Sequence, residues 1–370
     1  MTPNPDVNSR HSGCRHITAA FFPVDTARNS PKANQSADVV PPRTTDYQCP
    51  ERPVEFCINI LRMLNRLIVS TTVLLGLTVC PGIAAAQQPG RQMVPVAKDV
   101  YFMTGAGSNA SFVVTDEGVL VFDSDIRNND LPFIRKVTDK KVAYLFASHA
   151  SGDHSTGAWY FREDKPVYIG TRDQIRAYYQ SELKEFEERQ AQKAPFYSEA
   201  GAKLFPPSLG FDDGLTVLFG GLTFQAKAEG YGHTSGDLTV YIPQRRVMFM
   251  GDLLNNEIHP GQAEAAGVFY ANIQGTIDIL NRIIDRHLPV DTYVPGHGPV
   301  HVGRGVADLV DQRDYFIIMR DEVAKMVAAG KSLEEIQKEF KVPARFANYP
   351  PGRLAGILRV FYFQLIEHGR

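Results

Sequence analysis

The chain has 370 residues, 44% of them apolar and 22% charged, with a formal net charge of −2. That profile belongs to an ordinary soluble globular protein with enough chain for a full core and one or two domains. So balanced a charge excludes a polyanion, nucleic acid above all, as an expected partner.

Residues 1–62 are rich in Pro, Asn, Ser, Thr and Arg and show neither helical nor strand period. They are expected to be a disordered tail or an upstream extension that is never translated, with Met63 as the start. Residues 63–86 have the layout of a secretory signal. Arg62 and Arg66 flank an apolar segment from Leu67 to Val79, and Ala84-Ala85-Ala86 supplies a small-residue cleavage site. That apolar segment is well short of the roughly 20 residues that cross a bilayer. Export with cleavage is the expectation, giving a periplasmic or secreted protein without stable membrane insertion. Cys14, Cys49, Cys57 and Cys80 all lie upstream of the cut, so the remaining chain has no thiolate nucleophile and no Cys metal ligand.

From residue 87 on, period separates strands from helices. "DVYFMTG", "ASFVVTDEGVLVFDSD" and "VAYLFAS" are short β-branched and aromatic runs, the middle one folded at its "TDEG" turn into a hairpin. "PVYIG", "LTVLFGGLTFQAKA", "DLTVYIP" and "RVMFMGD" continue the pattern. Apolar residues at i, i+3 and i+4 predict helices over Leu131 to Val137, Arg172 to Lys193, Ile273 to His287 and Val306 to Ala328. Strands in two batches, each closed by a helix and another strand, predict an α/β sandwich of two central sheets with helices outside.

In such a layout the loops at one sheet edge bring remote residues together, so strand ends carry the interest. His149, Asp153 and His154 follow "VAYLFAS"; His233 follows "LTFQAKAEGYG"; Asp252 follows "RVMFMG"; His297 follows "DTYVPG". Gly or Ser flanks nearly all of them and lets the backbone turn tightly. Imidazole and carboxylate are the donors expected around a hydrolytic Zn²⁺ ion.

"HASGDH", "GYGHTSGD", "MGD" and "PGHG" stand in the order and approximate spacing of the metallo-β-lactamase superfamily, which the chain resembles from about Val94 to Val302. The resemblance implies an αββα four-layer sandwich of two mixed β-sheets flanked by helices, with the metal at the edge between the sheets. It implies a domain at 87–303 with a helical insert at 172–210, followed by C-terminal helices at 304–370. By position, His149 and His233 would belong to a first metal site, Asp153, His154 and His297 to a second, and Asp252 would bridge them. Asn109 and Asp123 match positions of structural support.

Ser151 departs from that pattern, standing where the motif has its second histidine. A serine hydroxyl is a poor neutral ligand beside an imidazole. One tightly bound zinc ion is therefore expected, at Asp153, His154, Asp252 and His297, with the other site weak or empty.

The implied activity is a zinc-dependent hydrolase that uses a metal-bound hydroxide to cleave an ester, thioester, lactone or amide-type bond of a small molecule, β-lactams among the candidates. Asp153 and Asp252 would carry the chemistry. The alternative is a non-catalytic metal- or ligand-binding protein of the same fold that has lost activity through Ser151. An oligomer is left open.

Candidate substrate contacts are Ser151, Tyr178, Tyr179 and His259, with Phe196 and Tyr197 beside them in the insert. The insert itself, "TRDQIRAYYQSELKEFEERQAQK", mixes both charge signs and offers no basic groove for nucleic acid. His301 matches no ligand position, and His287 ends a helix, where a cation favours the dipole.

Overall fold

The computed structural model describes residues 91–368 apart from 106, 199–200, 262–263, 266–267 and 270. The tail at 1–62 and the signal at 63–86 lie outside the described residues.

Seven strands form the first sheet in sequential order. They are β1 (Gln92–Ala97), β2 (Val100–Thr104), β3 (Ala110–Val114), β4 (Val119–Phe122), β5 (Val142–Phe146), β6 (Val167–Thr171) and β7 (Leu209–Phe211). Pairing is antiparallel from β1 to β4 and parallel from β4 to β7.

The second sheet contains β8 (Gly214–Phe219), β9 (Leu222–Gly230), β10 (Asp237–Ile242), β11 (Val247–Asn255) and β14 (Thr292–His297), in the order β14-β11-β10-β9-β8. Only its β11–β14 pair is parallel. A small hairpin, β12 (Glu264–Ala265) and β13 (Val268–Phe269), stands apart.

Three apolar layers hold the sheets and helices together. Along β4, Leu120 and Phe122 face the second sheet, whereas Val119 and Val121 face outward. Strands covered on both faces read as continuous apolar runs, and that is why this segment shows no polar alternation. Between the sheets Phe122 stacks on Phe249 with centroids 4.9 Å apart.

Outside the first sheet, α1 (Leu131–Arg135) contributes Ile134 to a layer with Phe112 and Leu145. Outside the second, α5 (Ile273–Asp285), α6 (Ala307–Ala328) and α8 (Leu354–His368) bury Leu280, Phe316 and Phe361 against Met248 and Met250. The result is the expected four-layer sandwich of two mixed sheets. A further short helix, α7 (Leu333–Glu339), starts at Ser332, which forms a reciprocal capping box with Glu335.

The insert departs from the continuous helix predicted over Arg172 to Lys193. It is broken into α3 (Arg172–Ala177), a π-helical turn at Tyr178–Glu182, and α4 (Leu183–Ala191). A π turn shifts the helical phase and so re-aims the residues after it, a change that apolar spacing does not record. Here it directs Ser181 and Glu182 into the cleft. The strands β1 and β7 were likewise not predicted; β7 is three residues long and mostly exposed.

Candidate metal centre

The site is assembled where β4, β5, β9, β11 and β14 stop or bulge. After β5, Ser148 turns the chain: its amide donates to Asp123 Oδ1 at 2.6 Å and its hydroxyl to Asp123 Oδ2 at 2.9 Å. Asp123 holds a positive φ of 59°, a conformation that Asp tolerates better than most residues. A four-residue helix, α2 (Gly152–Ser155), then presents Asp153 and His154 from one turn.

Asp252 lies within β11, directly after Gly251. Gly251 has φ +52°, and a Cβ there would fall 2.2 Å from the Ser148 Cβ. Only glycine lets the two ligand-bearing strands approach this closely. His297 ends β14, and Asn109 holds its loop by donating from Nδ2 to the carbonyls of Pro295 and Gly298 at 3.1 and 2.9 Å.

Four of the predicted ligands converge. His154 Nε2 lies 3.2 Å from Asp252 Oδ1, 3.7 Å from Asp153 Oδ2 and 3.4 Å from His297 Nε2. His297 Nε2 lies 3.4 Å from Asp153 Oδ2 and 3.3 Å from Asp252 Oδ2. Donors around a tetrahedral zinc ion with bonds of about 2.0–2.2 Å stand about 3.3–3.6 Å apart. Asp153, His154 and His297 each offer one atom within a common 4.8 Å, and Asp252 adjoins them, meeting His154 through Oδ1 and His297 through Oδ2.

Hydrogen bonding supports the same fit. His154 Nδ1 lies 2.8 Å from the Asp123 carboxylate and His297 Nδ1 lies 2.9 Å from the Gly107 carbonyl. Both partners only accept, so each Nδ1 carries the proton and each neutral ring aims an Nε2 lone pair inward. With a cation between them these lone pairs and the two carboxylates would serve as its donors; without one, protonated rings donate from Nε2 to Asp252 and Asp153.

Burial is the largest influence on His154 and disfavours its charge, yet Asp252, Asp153 and Asp123 outweigh it and raise its pKa well above the usual value. Burial likewise opposes, and Asp252 and Asp153 restore, a raised pKa at His297. For Asp252 burial raises, but the histidines lower more strongly, leaving the group well below the carboxylate range.

The other predicted ligands adjoin this cluster. His233 Nε2 lies 3.5 Å from Asp252 Oδ2, and the His149 and His233 ring centroids are 4.6 Å apart. His149, His154 and Asp252 also offer one atom each within a common 4.8 Å. His149 Nε2 is buried without a hydrogen-bond partner. Burial holds both His149 and His233 below the ordinary imidazole pKa, neutral and able to ligate.

Two cavities meet at Ser151 and Asp153. One, of about 370 Å³, runs past His233, Asp252 and His297 to Arg353 and Ile357 at the start of α8. The other, of about 320 Å³, lies under the insert and is bordered by Arg127, Glu182, Glu185, Arg189 and Tyr197. Burial first, then Glu185 and Asp153, pushes the Glu182 carboxyl up to about 8.

Ser151 opens onto both cavities. Other expected substrate contacts are corrected. Tyr178 is buried and its hydroxyl donates to the Phe205 carbonyl at 2.6 Å. His259 is equally buried, with Nδ1 2.7 Å from the Tyr315 hydroxyl, where the C-terminal helices close over it. Tyr179 is 58% exposed and borders neither cavity.

Of the insert aromatics, Tyr197 reaches the cleft, whereas Phe196 packs beside Phe186 and Trp159. His301 pairs with Asp308 and Glu257. Sequence reasoning missed Glu182, Arg127 and Arg353. Glu182 carried no signal, and Arg353 only the turn composition of "NYPPGR".

Comparison with known proteins agrees with this architecture. A linear primary-alkylsulfatase of Pseudomonas sp. (strain ATCC 19151) is 21% identical over 270 residues, covering 64% of this chain and 50% of that protein. The solved structure of a stereoselective inverting sec-alkylsulfatase from Pseudomonas sp. superposes with a TM-score of 0.58 at 16% identity, covering 74% of this chain and 50% of that one. The chain thus spans about half the length of these relatives. The pattern of the metallo-beta-lactamase superfamily matches residues 103–303, more than half of the chain, and the protein belongs to that superfamily.

Proposed function

We propose that the protein is an exported, zinc-dependent hydrolase of small, polar ester-type substrates. The observation that carries the reading is the convergence of Asp153, His154, Asp252 and His297, with contacts of 3.2–3.7 Å, an imidazole and carboxylate set of the kind that holds zinc. When bound there, zinc supplies Lewis acidity toward a substrate oxygen and lowers the pKa of water from about 15.7 toward 7.

The protein's own groups supply the rest. The side chain of Asp153 is 27% exposed at the junction of the two cavities, placed to accept a hydrogen bond from attacking water. Across the second cavity burial, with Glu185 and Asp153, raises the Glu182 carboxyl to about 8 and so favours its protonated, donating form. Hydrolysis adds the water oxygen to the electrophilic centre, and the leaving oxygen takes the proton.

Cavity chemistry supports a polar substrate. Among the described residues around the insert cavity, the aliphatic lining comes from Ala150 and Ala177, beside charged and hydroxyl side chains. An alkyl chain would find no large aliphatic side chain among the described lining residues there. Export rests on the signal-like composition of residues 63–86 and is tested separately, by sequencing the amino end of the periplasmic protein.

The deciding experiment measures hydrolysis by the full chain, with zinc and with chelator, on carboxylic ester, thioester, lactone, β-lactam and alkyl sulfate reporters. Zinc-dependent turnover of a short ester, falling to background in Asp153→Ala, is expected. Zinc binding without turnover of any reporter would replace the enzyme by a metal-holding protein.

A further inference from the structure

Charged side chains border the cavity under the insert, and most of them are already engaged. Arg127 pairs with Asp125 at 2.6 Å, Arg189 Nε donates to Glu185 at 2.9 Å, and Asp153 belongs to the cluster of proposed ligands. Glu182 differs. It is only 9% exposed, yet its carboxyl makes no hydrogen bond or ion pair among the described residues. Tyr197 borders the same space, is equally buried, and its hydroxyl likewise has no hydrogen-bond partner among the described residues.

The two groups approach one point. A Cβ on Gly152 would lie 3.2 Å from Glu182 Oε2 and 3.9 Å from Tyr197 Oη, so the absence of a side chain there keeps the space between them open. Both are held in place without a ligand. The π-helical turn aims Glu182 inward, while Gln190 Nε2 donates to the Tyr197 carbonyl at 3.0 Å and Phe186 meets the Tyr197 ring edge-on with centroids 5.4 Å apart. Buried polar groups are ordinarily hydrogen-bonded, and here two that are not face a cavity of about 320 Å³.

We propose that this cavity is a subsite for a neutral carboxamide group of the substrate, held between Glu182 and Tyr197. The assignment deepens the hydrolase reading and rests on it. Both charge signs border the space, so a charged group meets its like: an ammonium faces Arg127 and Arg189, a carboxylate faces Glu182, Glu185 and Asp153. Burial, then Glu185 and Asp153, raises the Glu182 carboxyl to about 8, and a protonated carboxyl both donates and accepts, as a tyrosine hydroxyl does. A carboxamide is the planar complement of that pair. Its oxygen accepts from one of the two groups, and its N–H donates to the other. The carboxamide is a recognition group that is not itself cleaved, and the scissile bond lies on the Asp153 side of Gly152.

The test titrates the isotope-labelled full chain, zinc-loaded and zinc-free, with butyramide, butylammonium chloride, sodium butyrate and butanol at neutral pH, following the Gly152 amide resonance by NMR. Butyramide is expected to bind most tightly of the four in both states. Glu182→Ala and Tyr197→Phe should each weaken it by about 10-fold, the loss of a buried hydrogen bond. Glu182→Gln, which also donates and accepts, should stay close to wild type. All three variants should bind zinc as wild type does, which shows that they fold. Absence of butyramide binding, tighter binding of any other probe, or Glu182→Gln as weak as Glu182→Ala overturns the proposal. Hydrolysis of an ester reporter without butyramide binding would remove the subsite and leave the hydrolase. Butyramide binding in the expected variant order without turnover of any reporter would remove the hydrolase and leave the carboxamide site standing.

Discussion

Asp123 Oδ2 lies 2.8 Å from His154 Nδ1, and the same carboxylate accepts the amide and hydroxyl of Ser148. One buried side chain thus sets the tautomer of His154, a proposed metal ligand, and the path of the loop that carries it. Partners of this kind typically govern metal affinity by about 10–100-fold. Asp123→Asn keeps the shape and tolerates the positive φ, but its NH2 replaces one acceptor oxygen and sets a donor against either the Ser148 amide or the His154 Nδ1 proton. Zinc affinity in a competing-chelator titration should fall by about 10-fold or more. An unchanged affinity would show that His154 is oriented by something else.

Ser151 occupies the one motif position without a metal donor and opens onto both cavities. Beside it, His149 and His233 are buried and neutral, and His149 Nε2 has no partner. Wild type should hold one zinc ion per chain after gel filtration in micromolar zinc. Ser151→His should hold close to two, because an added imidazole completes a three-nitrogen set. Two retained ions in wild type would mean that water or another group already completes the first site.

The fold and the clustering of these histidines and aspartates were legible for a common reason. Strands covered on both faces leave uninterrupted apolar runs such as "GVLVFD", and loops that turn around a metal leave histidine and aspartate among Gly and Ser. The same logic failed at Tyr178, because apolar spacing cannot distinguish a tyrosine that faces a cleft from one whose hydroxyl ends on the Phe205 carbonyl. It failed at Arg353 for the opposite reason. An arginine after "YPPG" has the look of a solvated turn, and only the packing of α8 on the second sheet brings it to His297, 56 residues away.

Asn109 connects the two sheets at the site. Its amide donates to the Gly296 carbonyl at 2.8 Å, and its side chain reaches the carbonyls on either side, at Pro295 and Gly298. Asn109→Ala leaves both carbonyls without that donor, at a cost of about 1–3 kcal/mol. Asn109→Asp should be worse, since it sets a carboxylate against two acceptors. Both variants should unfold at lower urea than wild type, with Asp below Ala, and both should bind zinc more weakly because the loop carries His297. Wild-type zinc affinity in Asn109→Asp would show that His297 is positioned without this clamp.

Glu182 connects the cleft to stability. Its carboxyl is buried, and burial, Glu185 and Asp153 together raise it from 4.5 to about 8. A carboxyl with a raised folded-state pKa binds its proton more tightly in the native chain than in the unfolded one. Its contribution is therefore fully present below about pH 4.5 and is lost as the pH rises through about 8. Glu182→Gln keeps the shape and cannot ionise, so it should match wild type near pH 4.5 and melt roughly 5 °C higher near pH 9. Melting curves of the two zinc-loaded proteins, followed by circular dichroism at half-unit pH steps, measure that divergence. Parallel curves across the range would mean that Glu182 is ionised in the folded state at neutral pH, and that it faces substrate as an acceptor.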